Sequence, residues 1–185
     1  RLRGWYNLHT GQYGRAERAL RLAGAVFEGL GNEYGAGQAA CLNYIGDVYR
    51  LRGQPDRAVS FYKEAIGLVE KEPVIIGLGQ FYANTGQALY QSGDKEGAEQ
   101  YLKMAVSYLR KNGCIWGLER VEACLALLFL EQGDPERAKE HYRTGRELSD
   151  KIRNPQTRKI LETVGLRLKE EEKKTEGKEG KKTAL

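Results

Sequence analysis

The sequence predicts an all-α protein built from repeated pairs of antiparallel helices. Glycines recur at Gly53, Gly93 and Gly133, at intervals of 40 residues. On both sides of each of these glycines, apolar residues recur every three or four positions, as on the buried face of an α-helix. One such helix–turn–helix unit cannot bury its apolar face alone, so we expect the units to stack into a solenoid.

Small residues occupy matched positions in both helices of each unit, and a large residue follows the second small residue by four positions. The three sets, in repeat order, are Gly46, Gly86 and Ala126; Ala58, Ala98 and Ala138; and Tyr62, Leu102 and Tyr142. An earlier, truncated copy begins with Gly4 and continues through Gly11, Ala16 and Leu20. Small residues at these positions allow paired helices to approach closely, which supports the predicted helix pairs.

The turns carry residues that end one helix and begin the next. Gly53 suits the left-handed position after a helix, and Pro55 suits the first turn of the helix that follows. Asp94 and Asp134 follow the other two turn glycines, where each is expected to cap the next helix. Each unit is therefore expected to be two helices joined by a tight turn.

The glycine-rich stretch "GLGNEYGAGQ" over 29–38 is interpreted as a turn between repeats. Its last glycine, Gly37, has equivalents at Gly77 and Gly117, again at intervals of 40 residues. A dinucleotide-binding loop requires a preceding strand and a third glycine at fixed spacing, whereas Tyr34 occupies that third position and a helix is expected before it. We therefore do not expect a nucleotide site.

The unit resembles the tetratricopeptide repeat, which is usually 34 residues long. The resemblance rests on Gly46, Tyr49, Ala58, Tyr62 and Ala65, with related sets in the next two units. Its longer period is similar to that of the variety found in kinesin light chain and in bacterial signalling regulators. The resemblance implies a right-handed superhelical solenoid of about 3.5 repeats with a C-terminal capping helix, whose concave groove binds proteins or peptides.

We expect the repeat domain to span 1–168 and a tail to follow it. The repeats fall at about 1–30, 31–71, 72–112 and 113–152, with the capping helix at 155–168, and Ile160, Leu161, Val164 and Leu168 form an apolar stripe on that helix. Residues 169–185 are charged and nearly free of apolar side chains, which predicts disorder. Because the chain begins at Arg1 without Met, we expect a fragment of a larger regulatory or signalling protein.

One repeat departs from the family pattern. Glu122 lies where the first helix normally carries a large apolar residue, and Ala126 replaces the small glycine. We therefore expect the last full repeat to pack differently, as terminal repeats often do.

Composition indicates a soluble globular domain, and an odd count of three cysteines indicates a reducing compartment, so we expect a cytoplasmic location. Apolar residues make up 41% of the chain and charged residues 30%, and no apolar run approaches the roughly 20 residues that a membrane helix needs. The net charge of +5 arises from 30 basic and 25 acidic residues that are interspersed. Nucleic-acid-binding surfaces instead cluster their basic side chains, so we do not expect nucleic acid as a partner.

Reactive side chains are too few and too scattered for an enzyme. His9 and His141 lie far apart, and Cys41, Cys114 and Cys124 lack metal-binding spacing. Nucleophilic catalysis would require a Ser or Cys beside a His base. We expect both histidines to be exposed and the three cysteines to be small buried residues. The sequence therefore predicts no catalytic residue, no metal and no cofactor.

The resemblance implies which side chains face the groove, because first-helix positions around the small glycine do so in the family. The groove candidates are Trp5, Leu8, Asn43, Asp47, Arg50, Gln80, Gln87, Tyr90, Arg120 and Leu127. Their amides and charges can pair with a polar ligand, while the aromatic and leucine side chains provide anchors. Asp47 stands where the family's clamp for a C-terminal carboxylate has a neutral or basic group, so we do not expect that ligand.

We therefore expect a non-catalytic scaffold that binds a protein or peptide. A self-association module is the alternative, because an apolar face of the first repeat is expected to be uncovered. RNA binding by helical repeats is a third alternative, which requires basic or stacking side chains at equivalent groove positions. Asp47, Gln87 and Leu127 share one such position and show no such pattern.

Overall fold

The computed structural model describes residues 2–70 and 77–182, and the regular structure in these ranges is helical. The α-helices are α1 Leu2–His9, α2 Tyr13–Leu30, α3 Gly35–Leu51, α4 Pro55–Val69, α5 Leu78–Ser92, α6 Lys95–Lys111, α7 Leu118–Glu131, α8 Pro135–Ile152 and α9 Pro155–Lys182. A short 3-10 helix, Asn32–Tyr34, precedes α3. The predicted all-α repeat architecture is confirmed. The boundary expected between the repeats at 31–71 and 72–112 lies outside the described residues.

The chain divides into two compact units, Arg1–Tyr108 (the N-terminal unit) and Leu109–Leu185 (the C-terminal unit). Successive helices from α1 to α5 pack against one another in the N-terminal unit, and α7, α8 and α9 do so in the C-terminal unit. The core of the N-terminal unit contains Leu8, Ala16, Leu20, Ile45, Val48, Tyr49, Ala58, Tyr62 and Ala88. In the C-terminal unit, α9 buries Leu161, Val164 and Leu168 as its apolar stripe indicates. A single repeat domain over 1–168 remains a prediction.

The turn glycines adopt the left-handed conformation that the sequence predicts. Gly53 has a φ of 72° after the last turn of α3, and the N–H of Gln54 donates to the Tyr49 carbonyl at 3.0 Å. This bond satisfies a carbonyl that would otherwise lack a partner at the helix end. Asp94 and Asp134 make the same backbone bond to Leu89 and Phe129. The repeat turns therefore share one backbone geometry.

The helices after these turns begin as predicted. Pro55 is the first residue of α4. The Asp134 side chain accepts a hydrogen bond from the Arg137 N–H at 3.0 Å, and Asp94 accepts one from the Gly97 N–H at 2.9 Å. Each carboxylate thereby satisfies one of the unpaired N–H groups at the start of a helix.

Paired helices approach closely where a small residue faces a large one. A Cβ added at Gly46 would overlap the Tyr62 ring, and one added at Gly86 would lie 2.7 Å from Leu102 Cγ. In the C-terminal unit, Tyr142 instead lies against Gly165 of α9, where an added Cβ would be 2.7 Å from its hydroxyl. In the last full repeat, where Ala126 replaces the small glycine, the large residue Tyr142 thus packs against Gly165 of α9.

Helix α9 continues through Lys182, beyond the capping segment predicted over 155–168. Within this extension, Lys174 Nζ lies 2.7 Å from Glu171 Oε1, three residues earlier. Such pairs modestly stabilise an exposed helix. The structure thus extends the helix into a segment whose low apolar content predicts disorder.

Replacing Gly46 with alanine should lower the free energy of unfolding by about 1–3 kcal/mol, because the new methyl group would overlap the buried Tyr62 ring. Urea denaturation measures the change. Gly67→Ala is the matched control, since this helical glycine has open space around it and alanine favours a helix by about 1 kcal/mol over glycine. Equal stability of the two variants would contradict the close-approach account.

Candidate functional site

A cleft between α3 and α5 of the N-terminal unit brings together three of the predicted groove residues, Asn43, Asp47 and Gln80. Its volume is about 460 Å³, within the range of ordinary ligand-binding pockets. The lining residues are Ala36, Gly37, Ala40, Asn43, Tyr44 and Asp47 on the α3 side and Gly77, Gln80, Phe81 and Asn84 on the α5 side. The lining residues near the start of α3, Ala36, Gly37 and Ala40, are all small.

Two asparagine amides meet at the base of this cleft. Asn84 Nδ2 donates to Asn43 Oδ1 at 3.1 Å, and both side chains are buried. An asparagine amide has one acceptor group and one donor group, so this bond uses only one end of the Asn43 amide. Whichever way the two amides are turned, the other polar group of Asn43 remains for a ligand.

Asp47 is held in place from α4. The Tyr62 hydroxyl donates to Asp47 Oδ1 at 2.8 Å, and Arg50 Nη2 lies 3.5 Å from the same oxygen. Burial raises the pKa of Tyr62 well above its ordinary value, and the charge of Asp47 raises it further. The phenol therefore keeps its proton and remains a donor to Asp47.

A second carboxylate fixes the far end of α3 against α2. Glu17 accepts hydrogen bonds from the Tyr49 hydroxyl at 2.8 Å, from Arg52 Nη1 at 3.1 Å and from Arg21 Nη2 at 3.0 Å. Burial opposes ionisation of Glu17, but the bonds from Tyr49, Arg21 and Arg52 outweigh it and hold its pKa below the usual value. The ionised carboxylate thus ties α2 to the helix that carries Asn43 and Asp47.

Most of the other groove candidates lie elsewhere. Leu8 is only 5% exposed and lies in the core of the N-terminal unit. The prediction that Leu8 faces the groove is therefore wrong, because the face of α1 that carries it packs against the core. Trp5 is exposed, with its ring 4.3 Å from that of His9. Arg50, Gln87 and Tyr90 are half-buried in the N-terminal unit, and Arg120 and Leu127 are half-buried in the C-terminal unit. A binding role for these six residues remains a prediction.

Sequence reasoning missed Tyr44, Phe81 and Asn84, which also line the cleft. Tyr44 and Asn84 occupy the same repeat position, two residues before the small glycine. Asn43, the residue just before Tyr44, was expected to face the groove. Adjacent residues of α3, Asn43 and Tyr44, both line the cleft. The position next to a predicted groove residue was therefore the sequence signal that could have identified Tyr44.

A buried carboxylate in the C-terminal unit was also unexpected. Glu122 is fully buried, with Arg110 Nη2 2.7 Å from Oε1 and His141 Nδ1 2.6 Å from Oε2. Pairing with Arg110 and His141 offsets the cost of burying a carboxylate at a position where the family carries an apolar residue. His141 is consequently half-buried and bonded instead of exposed. The expectation of three buried cysteines is correct for Cys41 and wrong for exposed Cys114, while Cys124 is half-buried.

Metal-binding clusters and membrane-spanning helices are both absent from residues 2–70 and 77–182. In these ranges no three His, Cys, Asp or Glu side chains are grouped so that they could hold a metal ion. None of the described helices combines the length and apolar character needed to span a membrane.

The fold and the cleft define a helical repeat protein in which the first helices of neighbouring repeats form a polar cleft. Residues 4–71 match the family model of the tetratricopeptide repeat. This match covers somewhat more than a third of the chain, and the helix pairs of the described residues are of the same kind. A comparison with curated protein sequences gives no match.

Solved structures with the same fold share little sequence with this chain. Aspartyl phosphate phosphatase F from Bacillus subtilis is 17% identical with a TM-score of 0.76, over 87% of this chain and 42% of that one. A Rap protein complexed with competence and sporulation factor is 16% identical, with a TM-score of 0.74 over 85% and 44%. The chain thus spans less than half the length of these two proteins. Kinesin light chain TPR-like repeats from Podosopora anserina are 14% identical, with a TM-score of 0.69 over 94% and 87%.

Glu17→Gln should destabilise the protein at neutral pH and have progressively less effect in acid. A carboxylate whose pKa is lowered by folding contributes stability above its unfolded pKa and loses it as the pH falls through the folded pKa. Denaturant unfolding of wild type and variant from neutral to acidic pH measures this difference. Glu64→Gln, at an exposed glutamate of α4, serves as the control. A stability difference between wild type and Glu17→Gln that does not change with pH would contradict the Glu17 assignment.

Proposed function

We propose that the protein is a non-catalytic scaffold whose N-terminal unit binds an extended protein or peptide segment in the cleft between α3 and α5. The observation that carries this proposal is the Asn43–Asn84 amide pair, which leaves one polar group of Asn43 for a ligand. An extended segment has unpaired backbone N–H and C=O groups, whereas those of a helix are already bonded to each other. An asparagine amide can bond to either group.

The remaining walls of the cleft suit the side chains of such a segment. Tyr44 and Phe81 contribute aromatic surface, which is enriched where binding energy is concentrated. The small Ala40 side chain lets a ligand approach α3 closely, whereas the Phe27 ring already fills the space beside Gly37. The similar Rap protein is complexed with competence and sporulation factor, and this likeness supports partner binding by analogy of fold alone. A signalling role and a cytoplasmic location remain predictions.

Selection of random heptapeptides displayed on phage against the full chain tests the proposal without a known ligand. Peptides that bind wild type should bind Asn43→Ala about 5–10-fold more weakly in fluorescence anisotropy, because a hydrogen bond to the ligand is lost. Gln91→Ala, at an exposed residue of α5, should leave the dissociation constant unchanged. Thermal unfolding checks that both variants fold.

Two results would count against the proposal. One is a selection that returns no peptide above background, and the other is a set of peptides that all bind wild type and Asn43→Ala equally well. In either case, the amide pair would be a packing contact between α3 and α5 and the cleft would not be the binding site.

Self-association is a second candidate function, favoured by one comparison between repeats. Tyr6 and Val48 each lie two residues after the small glycine of their helix. Val48 is fully buried in the core with Leu8 and Leu20, whereas Tyr6 is 60% exposed. Leu22 and Val26 of α2 are also exposed. A helix pair from a second copy stacked on α1 and α2 would cover Tyr6 as Val48 is covered.

Sedimentation velocity over a range of concentrations tests this second function. Wild type should sediment faster as its concentration rises, and Tyr6→Glu should abolish the increase because a buried charge without a partner opposes association. Lys63→Glu, at an exposed residue of α4, should behave as wild type. A concentration-independent monomer for wild type would exclude self-association through this surface.

A further inference from the structure

The cleft between α3 and α5 has an uneven charge. Among its ten described lining residues, Asp47 alone carries a charge, and the others are small, amide-bearing or aromatic. Arg50, whose Nη2 lies 3.5 Å from Asp47 Oδ1, does not line the cleft. Among these lining residues, a ligand in the cleft therefore contacts one carboxylate and no basic side chain. An acidic ligand would be repelled at this end, and a cationic one attracted.

The carboxylate of Asp47 has unused bonding capacity. Its described bonds, from Tyr62 and Arg50, both end on Oδ1. Arg50 lies 3.5 Å from that oxygen, which is longer than the usual charge-assisted hydrogen bond of about 2.7–2.9 Å. A carboxylate accepts at both oxygens, so Oδ2 remains for a further donor. The side chain is only 16% exposed, so an ion pair at this position is screened less by water than one on an open surface.

Aromatic side chains in the same cleft add a second preference for a cation. Tyr44 and Phe81 both line the cleft, Tyr44 from α3 and Phe81 from α5. The faces of such rings attract ammonium and guanidinium groups. Rings of this protein already take part in such contacts elsewhere, as Arg57 lies 4.3 Å from the centre of the Tyr49 ring. Rings and carboxylate therefore favour the same kind of ligand group.

We propose that the segment bound in this cleft carries an ammonium or guanidinium group that pairs with Asp47 Oδ2, while its backbone bonds to Asn43. This inference rests on the proposed peptide-binding function and specifies its ligand class. The cation has two possible sources, the side chain of a Lys or Arg in the ligand and the free amino terminus of the ligand. Both present N–H donors with a positive charge, and the experiment separates them.

The test uses the heptapeptides selected on the full chain, resynthesised in matched forms. Each Lys is replaced by norleucine and each Arg by citrulline in one form, and the amino terminus is acetylated in another. Loss of the relevant cation should weaken binding to wild type about tenfold, the order expected of a partly buried ion pair. Loss on side-chain replacement identifies Lys or Arg as the source, and loss on acetylation identifies the amino terminus.

The variant Asp47→Asn tests whether the weaker binding of peptides without the cation is due to Asp47. The variant keeps an oxygen that accepts from Tyr62, so the α3–α4 contact is preserved and thermal unfolding should be close to that of wild type. The unmodified peptide should bind Asp47→Asn about tenfold more weakly, whereas the form without the cation should bind both proteins equally. This is the coupling expected when the cation and Asp47 interact directly.

Three outcomes have distinct meanings. Coupling between the peptide cation and Asp47 supports the inference. Peptides that depend on Asn43 but are insensitive to Asp47→Asn and to loss of the cation overturn it and leave the proposed function standing. If no selected peptide depends on Asn43, the proposed function fails, and this inference fails with it.

Discussion

The contact of the Tyr62 ring with Gly46 determines both the helix pairing and the site in the N-terminal unit. The ring occupies the space that a side chain at position 46 would fill, so α3 and α4 approach closely. The hydroxyl of the same ring donates to Asp47, the next residue along α3. A packing contact of the repeat thereby fixes the direction of a charged group in the cleft. If the ring shifted, the helix pair and the carboxylate would shift together.

Other repeats use the same packing position without its polar function. Leu20 faces Gly4 and Leu102 faces Gly86. In both pairs the large residue follows the glycine by the same number of sequence positions as Tyr62 follows Gly46. Leucine provides the bulk but lacks a hydroxyl, so of these three pairs only the one with Tyr62 adds a hydrogen bond to the residue after its small glycine. The repeated positions thus build similar helix pairs, and differences between repeats create a site at one place. Asn43 and Asn84 extend this site across neighbouring repeats, because their bond joins α3 to α5.

The sequence predicted those parts of the structure that depend on nearby residues. Gly53, Pro55 and Asp134 act through their own backbone or through atoms a few residues away, so their roles could be predicted from spacing alone. The small–large pairing of Gly46 with Tyr62 was also visible, because it recurs in register. The family resemblance implied that Asn43, Asp47 and Gln80 face a groove, and all three line the cleft between α3 and α5.

The errors concern contacts between residues that no repeat pattern relates. Leu8 faces the core because of how α1 packs on its neighbours, and its equivalent Arg50 does not share that environment. Glu122 is buried because Arg110 and His141 come from two other helices to pair with it. Asn84 reaches Asn43 across 41 residues of chain. Such pairings depend on the rotation of each helix about its axis, which apolar periodicity specifies only approximately.

A crystal structure of the full chain with a selected heptapeptide would test the central claim most directly. The account predicts an extended peptide between α3 and α5, with a backbone N–H or C=O group within hydrogen-bonding distance of the Asn43 amide. A peptide bound at another surface, with the Asn43–Asn84 contact unchanged and the cleft empty, would contradict the account.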